Sequence, residues 1–91
     1  MKLFLVHAGF YDDNISGGFY ESHTNYFVVA ADVKQAKQKA KAITEYKDKK
    51  MHIDGIKEID IVDGYRISLH ENIDGATLDN SDYSYDEVKK M

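Results

Sequence analysis

The chain has 91 residues, a net charge of −4, and no cysteine, proline or tryptophan. Such a length makes one domain that buries a little over ~60% of its unfolded surface around a single core. The missing cysteine removes disulfides, thiolate nucleophiles and zinc-thiolate sites, and suits a reducing compartment. The acidic balance weighs against a dedicated nucleic-acid binder. One lysine followed only by Leu3 to Val6 is too short for a signal-peptide core, and no later apolar run reaches membrane-spanning length. The expectation is a soluble, cytoplasmic protein with no membrane partner and no nucleic-acid partner.

Lys2 to Ala8 is the first strand, with Leu3 and Leu5 on one side and Phe4, Val6 and Ala8 on the other. Apolar residues on both parities suit an interior strand covered on both faces. Gly9 to Ser22, rich in Asp, Asn, Ser and Gly, reads as a long mobile connection that Phe10, Ile15 and Phe19 tack down. Thr24 to Ala31 is a second strand around the unbroken Phe27-Val28-Val29-Ala30.

Asp32 is placed to cap a helix, with Gln35 at the capping-box position and Ala31 and Ala36 as a small staple. The helix is expected to run to about Tyr46 with an inward stripe of Val33, Ala36, Ala40 and Ile43, continued by Tyr46 or Lys47. Mostly alanine, that stripe lets the helix lie close to a sheet. Lys34, Lys37, Lys39, Lys41, Lys47, Lys49 and Lys50 crowd the same segment with only Glu45 and Asp48 to offset them. Their ordinary role is a solvated polar face, with an anionic partner as the alternative.

Met51 to Gly55 leads into a hairpin whose runs, Ile59 to Val62 and Tyr65 to Leu69, flank Asp63-Gly64. A two-residue turn would mix apolar and polar side chains on both faces of the ribbon. A three-residue loop, Val62-Asp63-Gly64, instead pairs Ile61 with Tyr65, Asp60 with Arg66 and Ile59 with Ile67, and is the expected register. Residues 73–91 form a polar tail with turn signals at Asp74-Gly75 and Asp79-Asn80-Ser81 and a short helix near Asp86 to Met91.

The resulting fold class is α+β: ββαββ, a four-stranded antiparallel sheet in the order 2-1-3-4, one helix on one face, a single domain over residues 1–72 and a tail over 73–91. The apolar strands supply more surface than one helix hides. A second copy is the expected cover for the other face, since an isologous dimer reuses one patch.

Two polar pairs stand out, Glu21 with His23 before the second strand and His52 with Asp54 before the third. Residues two apart in extended chain point to the same side, so each pair offers a carboxylate and an imidazole in one direction. If the strands are neighbours, the four can ligate a metal or share a proton; the plainer alternative is that each satisfies backbone groups at a strand end. His7, on the Leu3-Leu5 face, reads as a hydrogen-bonded core-edge residue rather than a ligand. His70 reads as a surface residue, and Asp60 with Arg66 as a structural pair. Gly17-Gly18 precedes a strand, not a helix, so it forms no phosphate loop, and the hydroxyls lack a nucleophile elbow.

Met1-Lys2-Leu3-Phe4-Leu5-Val6, Glu21-Ser22-His23 followed by Phe27-Val28-Val29-Ala30, His52-Ile53-Asp54 and Val62-Asp63-Gly64-Tyr65 resemble a family of small bacterial proteins defined as a conserved domain of unknown function. The likeness spans roughly residues 1–71. It implies a small bacterial cytoplasmic α+β domain without an established activity, and it singles out His23, His52 and Asp54.

The residues assign no cofactor, no catalytic group and no resident metal. The expected role is a homodimeric binding module for a protein or small ligand near the Gly9 to His23 loop, with Glu21, His23, His52 and Asp54 as the ligand-binding candidates. The alternative is a small enzyme or metal-binding protein using His23, His52 and Asp54.

Overall fold

The computed structural model describes residues 1–72, 74 and 81–91. Three antiparallel strands form the central sheet: β1 (Lys2–Phe10), β2 (Ser22–Ala30) and β3 (His52–Ile59), in the order β2-β1-β3. The two-faced first strand therefore takes the interior position, as its pattern requires, and it runs two residues beyond the expected end at Ala8. Between β1 and β2 a connection with a 3-10 turn at Ser16–Gly18 is held at its start by buried Phe10, while Ile15 and Phe19, expected to help hold it, are exposed.

The helix divides into α1 (Val33–Lys41) and α2 (Thr44–Asp48), because Ile43 takes an extended conformation between them. Asp32 caps α1 by accepting from the Gln35 amide at 2.8 Å, and the Gln35 side chain accepts from the Ala31 amide at 2.6 Å. The cap half of the expected capping box is formed, while the Gln35 side chain reaches one residue further back, to the amide before the cap. Val33 is exposed, so the inward stripe begins at Ala36, continues through Ala40, and passes to Tyr46 of α2 only after the break at Ile43.

One face of the sheet lies under α1. Phe4, Val6, Ala8 and Ala30 from the strands and Ala36 and Ala40 from the helix are fully buried, and the alanines allow helix and sheet to approach closely. Ile53 and Ile56 both pack on this core although three residues apart. A register shift between His7 and Ala8 makes that possible: Ala8 pairs with Ile53 and His7 with Gly55, which leaves Asp54 as the extra residue of a bulge.

The expected fourth strand is not part of this sheet. β4 (Ile61–Val62) and β5 (Tyr65–Arg66) form a separate two-stranded ribbon. Ile67 and Leu69 instead join Met1, Leu3 and Ile59 around a cavity of about 290 Å³ at the end of the sheet. The expected three-residue hairpin loop is also corrected. Val62 pairs with Tyr65 and Ile61 with Arg66 around a two-residue turn in which Asp63 and Gly64 both have positive φ, 54° and 81°. Register is imposed by a buried face, and here Ile61, Val62 and Tyr65 are all exposed, so the turn preference of Asp-Gly decides instead. Asp60 and Arg66 still approach to 3.7 Å.

In the tail, Ser84 caps a short helix, α3 (Tyr85–Lys89). Of the expected turn signals, Gly75 and residues 79–80 lie outside the described residues. Among the described residues no helix is long and apolar enough to cross a membrane.

Candidate metal centre

The sheet face away from α1 is laid out in cross-strand rows. Val29, Leu3 and Ile59 form the first, Phe27, Leu5 and Lys57 the second, Asn25, His7 and Gly55 the third, and His23, Gly9 and His52 the fourth. Side chains paired across neighbouring strands project to the same side. His23 and His52 therefore flank a glycine on the central strand and reach over it from both sides.

Glu21 and Asp54, two positions along from the histidines, close the ring. His23 Nε2 is 2.7 Å from Glu21 Oε1 and 3.1 Å from Asp54 Oδ2, while His52 Nε2 is 3.2 Å from Glu21 Oε1 and 3.2 Å from Asp54 Oδ1. All four residues expected as ligand-binding candidates are thus brought to one place. The bulge contributes directly, since it places Asp54 and Gly55 together opposite His7.

Gly9 and Tyr11 are the residues of the site that sequence reasoning missed, and Gly9 is its floor. A Cβ built there would overlap Glu21 Oε1 and lie 2.6 Å from His52 Nε2 and 2.7 Å from Asp54 Oδ2. The donor atoms converge on the space that any other amino acid would fill. Glycine inside a strand is itself a sign of close approach, and extending the strand past Ala8 would have exposed the signal.

The surroundings orient the ring. The Tyr11 hydroxyl donates to Glu21 Oε2 at 3.1 Å and leaves Oε1 for the centre. The hydrogen bond to Glu21 and the carboxylate charge raise the Tyr11 pKa, so this hydroxyl keeps its proton and remains a donor. Desolvation pushes the Glu21 carboxyl upward, but the hydrogen bonds from Tyr11 and His52 and the charges of His23 and His52 outweigh it and hold Glu21 below the usual range. The group stays ionised. His7 stacks on His23 with ring centroids 4.8 Å apart and planes 8° from parallel, and its Nδ1 meets Asn25 Oδ1 at 2.8 Å. His70 lies on the surface, 3.4 Å from the Ser68 hydroxyl.

The side chains of Glu21, His23, His52 and Asp54 are between 30% and 49% exposed, so the ring opens to solvent. Beside it Leu5, His7, Asn25, Gly55, Ile56 and Lys57 line a shallow cavity of about 320 Å³. Four donors around an ion at ~2.0–2.1 Å stand about 3.3 Å apart in a tetrahedron. The four imidazole–carboxylate spacings, 2.7 to 3.2 Å, are at or somewhat below that value.

No curated protein and no solved structure matches the chain. A family match covers residues 18–69, taking in Glu21, His23, His52 and Asp54 and leaving out His7, Gly9 and Tyr11. With more than half of its length matched, the chain belongs to the family described as Domain of Unknown Function (DUF1543).

Proposed function

We propose that the protein is a binding module for a divalent transition metal, held above Gly9 by Glu21, His23, His52 and Asp54. The carrying observation is that two imidazole nitrogens face the same carboxylate oxygen, Glu21 Oε1, at 2.7 and 3.2 Å over a backbone position with no side chain. A general acid/base pair needs one such contact; an ion needs several donors around a common point. This favours the metal reading over an acid/base enzyme built from the same groups.

Donor chemistry narrows the ion. Mixed nitrogen and oxygen ligands without sulfur suit zinc, manganese, iron, cobalt or nickel, whereas calcium and magnesium favour all-oxygen shells. The two carboxylates offset the charge of one divalent ion. Solvent access on the open side leaves room for an external ligand, which joins the metal reading to a small-ligand role in the neighbouring cavity.

Titration of the metal-free protein with zinc or cobalt checks this, using heat and the visible absorption of cobalt as readouts. Binding at micromolar concentration is expected, with His52→Ala and Asp54→Asn each weakening it roughly tenfold or more. No binding at millimolar metal would remove the proposal.

A homodimer through the opposite end of the open face is a second, compatible reading. It is favoured by Phe27 and Val29, 71% and 40% exposed beside Leu3 and Leu5. An isologous interface would use this one patch on both copies. Sedimentation should show a dimer that Phe27→Ser converts to monomer; a wild-type monomer at high concentration rejects it.

A further inference from the structure

We infer that the cluster holds two metal ions, bridged by Asp54, with His7 a ligand of the second. The inference rests on the metal reading above and extends it to residues and a stoichiometry that the four-residue ring does not contain.

Asp54 presents different oxygens to its two histidine neighbours. Oδ1 is 3.2 Å from His52 Nε2, and Oδ2 is 3.1 Å from His23 Nε2. A carboxylate facing two imidazoles with separate oxygens is arranged to bridge two ions, one on each oxygen. The donors also fall into two groups that share Asp54. Ligand atoms of Glu21, His52 and Asp54 lie within 4.8 Å of one another, and so do those of His7, His23 and Asp54.

The second group has its own orienting contact. His7 Nδ1 meets Asn25 Oδ1 at 2.8 Å, and since an amide oxygen only accepts, Nδ1 carries the proton and Nε2 keeps a free lone pair. A histidine fixed in this tautomer by a neighbouring acceptor is prepared for metal ligation. The stack on His23 sets the two imidazoles side by side in neighbouring strands, with a ligand atom of each within 4.8 Å of the other and of Asp54. The cavity beside His7, lined also by Leu5, Asn25, Gly55, Ile56 and Lys57, gives the second ion open positions for water or an anion.

Charge orders the two events. Glu21 and Asp54 neutralise the first ion, so the second adds net positive charge and binds more weakly, by at least about tenfold. The first ion, held by all four residues when it is alone, keeps Glu21, His52 and Asp54, where both carboxylates contribute, when His23 turns to the second.

Metal content and stepwise titration with Mn²⁺ test the inference, with low-temperature electron paramagnetic resonance of the saturated protein as an independent readout. The expected result is two ions per chain in two steps and an exchange-coupled manganese pair. His7→Gln and His7→Ala should each bind one ion, losing the coupled signal while the first affinity changes less than about threefold. One ion per wild-type chain, or two in both variants, overturns the bridged pair and leaves the single-ion site standing. Zero ions overturns the metal reading as well. The wild-type stoichiometry decides the matter even if neither variant folds.

Discussion

The two faces of the central sheet are built by the same three strands, and they are put to opposite uses. Under α1 the side chains are apolar and sealed: Phe4, Val6 and Ala8 have no exposed surface. The other face begins with Leu3, Val29 and Phe27 and ends, three rows on, in His23, Gly9 and His52. Alternation along a strand separates the two roles at single-residue resolution, so stability and chemistry can be perturbed independently.

The largest expected effect is on the sealed face. Phe4→Ala removes a fully buried ring and should cost about 3–5 kcal/mol in denaturant unfolding, enough to unfold much of a chain of this size. Phe27, one strand away and 71% exposed, provides the contrast. An intermediate effect is expected at the junction of β2 and α1, where Asp32→Ala removes the cap that accepts from Gln35 and should lower stability by about 1 kcal/mol.

A smaller effect depends on pH. Tyr26 sits between the sheet and α2, where its hydroxyl donates to Glu45 and contacts Met51 sulfur at 3.7 Å. Desolvation first, then the Glu45 hydrogen bond and charge, push its pKa from 10.0 up to about 12. Folding therefore favours the protonated hydroxyl. Its contribution is complete below pH 10 and is lost as pH rises from about 10 to about 12. Wild type should exceed Tyr26→Phe in melting temperature at neutral pH, and the gap should close across that window. A gap that stays constant would contradict the assignment.

The smallest change in folding stability belongs to Phe27→Ser, expected below ~0.5 kcal/mol for the isolated chain. A large loss there would mean that the open face is covered in solution, and would blur the distinction between the faces.

Much of this arrangement was legible from side-chain parity. Spacing of two placed Glu21 with His23 and His52 with Asp54 on one side of their strands, and the two-faced pattern of Lys2 to Ala8 placed β1 between β2 and β3, so that the pairs met. What was hidden depended on contacts that periodicity does not encode. The bulge at Asp54 lets Ile53 and Ile56 share a face, and no pattern in the sequence announces it. The hairpin register followed the Asp63-Gly64 turn because the ribbon buries neither side, and Ile67 and Leu69 turned to Leu3 and Ile59 instead of extending the sheet. The roles of Tyr11 and His7 depend on cross-strand reach, 10 residues to Glu21 in one case and 18 to Asn25 in the other. Gly9 looked like the start of a loop and is the floor of the site.

That floor gives the most direct test, because it can be raised without removing any ligand. The atoms a Gly9→Ala methyl would meet are the ends of side chains, which can swing aside, so the fold should survive with little loss of thermal stability. Their displacement scatters the donors. Calorimetric titration with zinc should therefore show binding to the Ala variant at least about tenfold weaker than to wild type. Equal affinity in the two proteins would contradict a metal centre over Gly9.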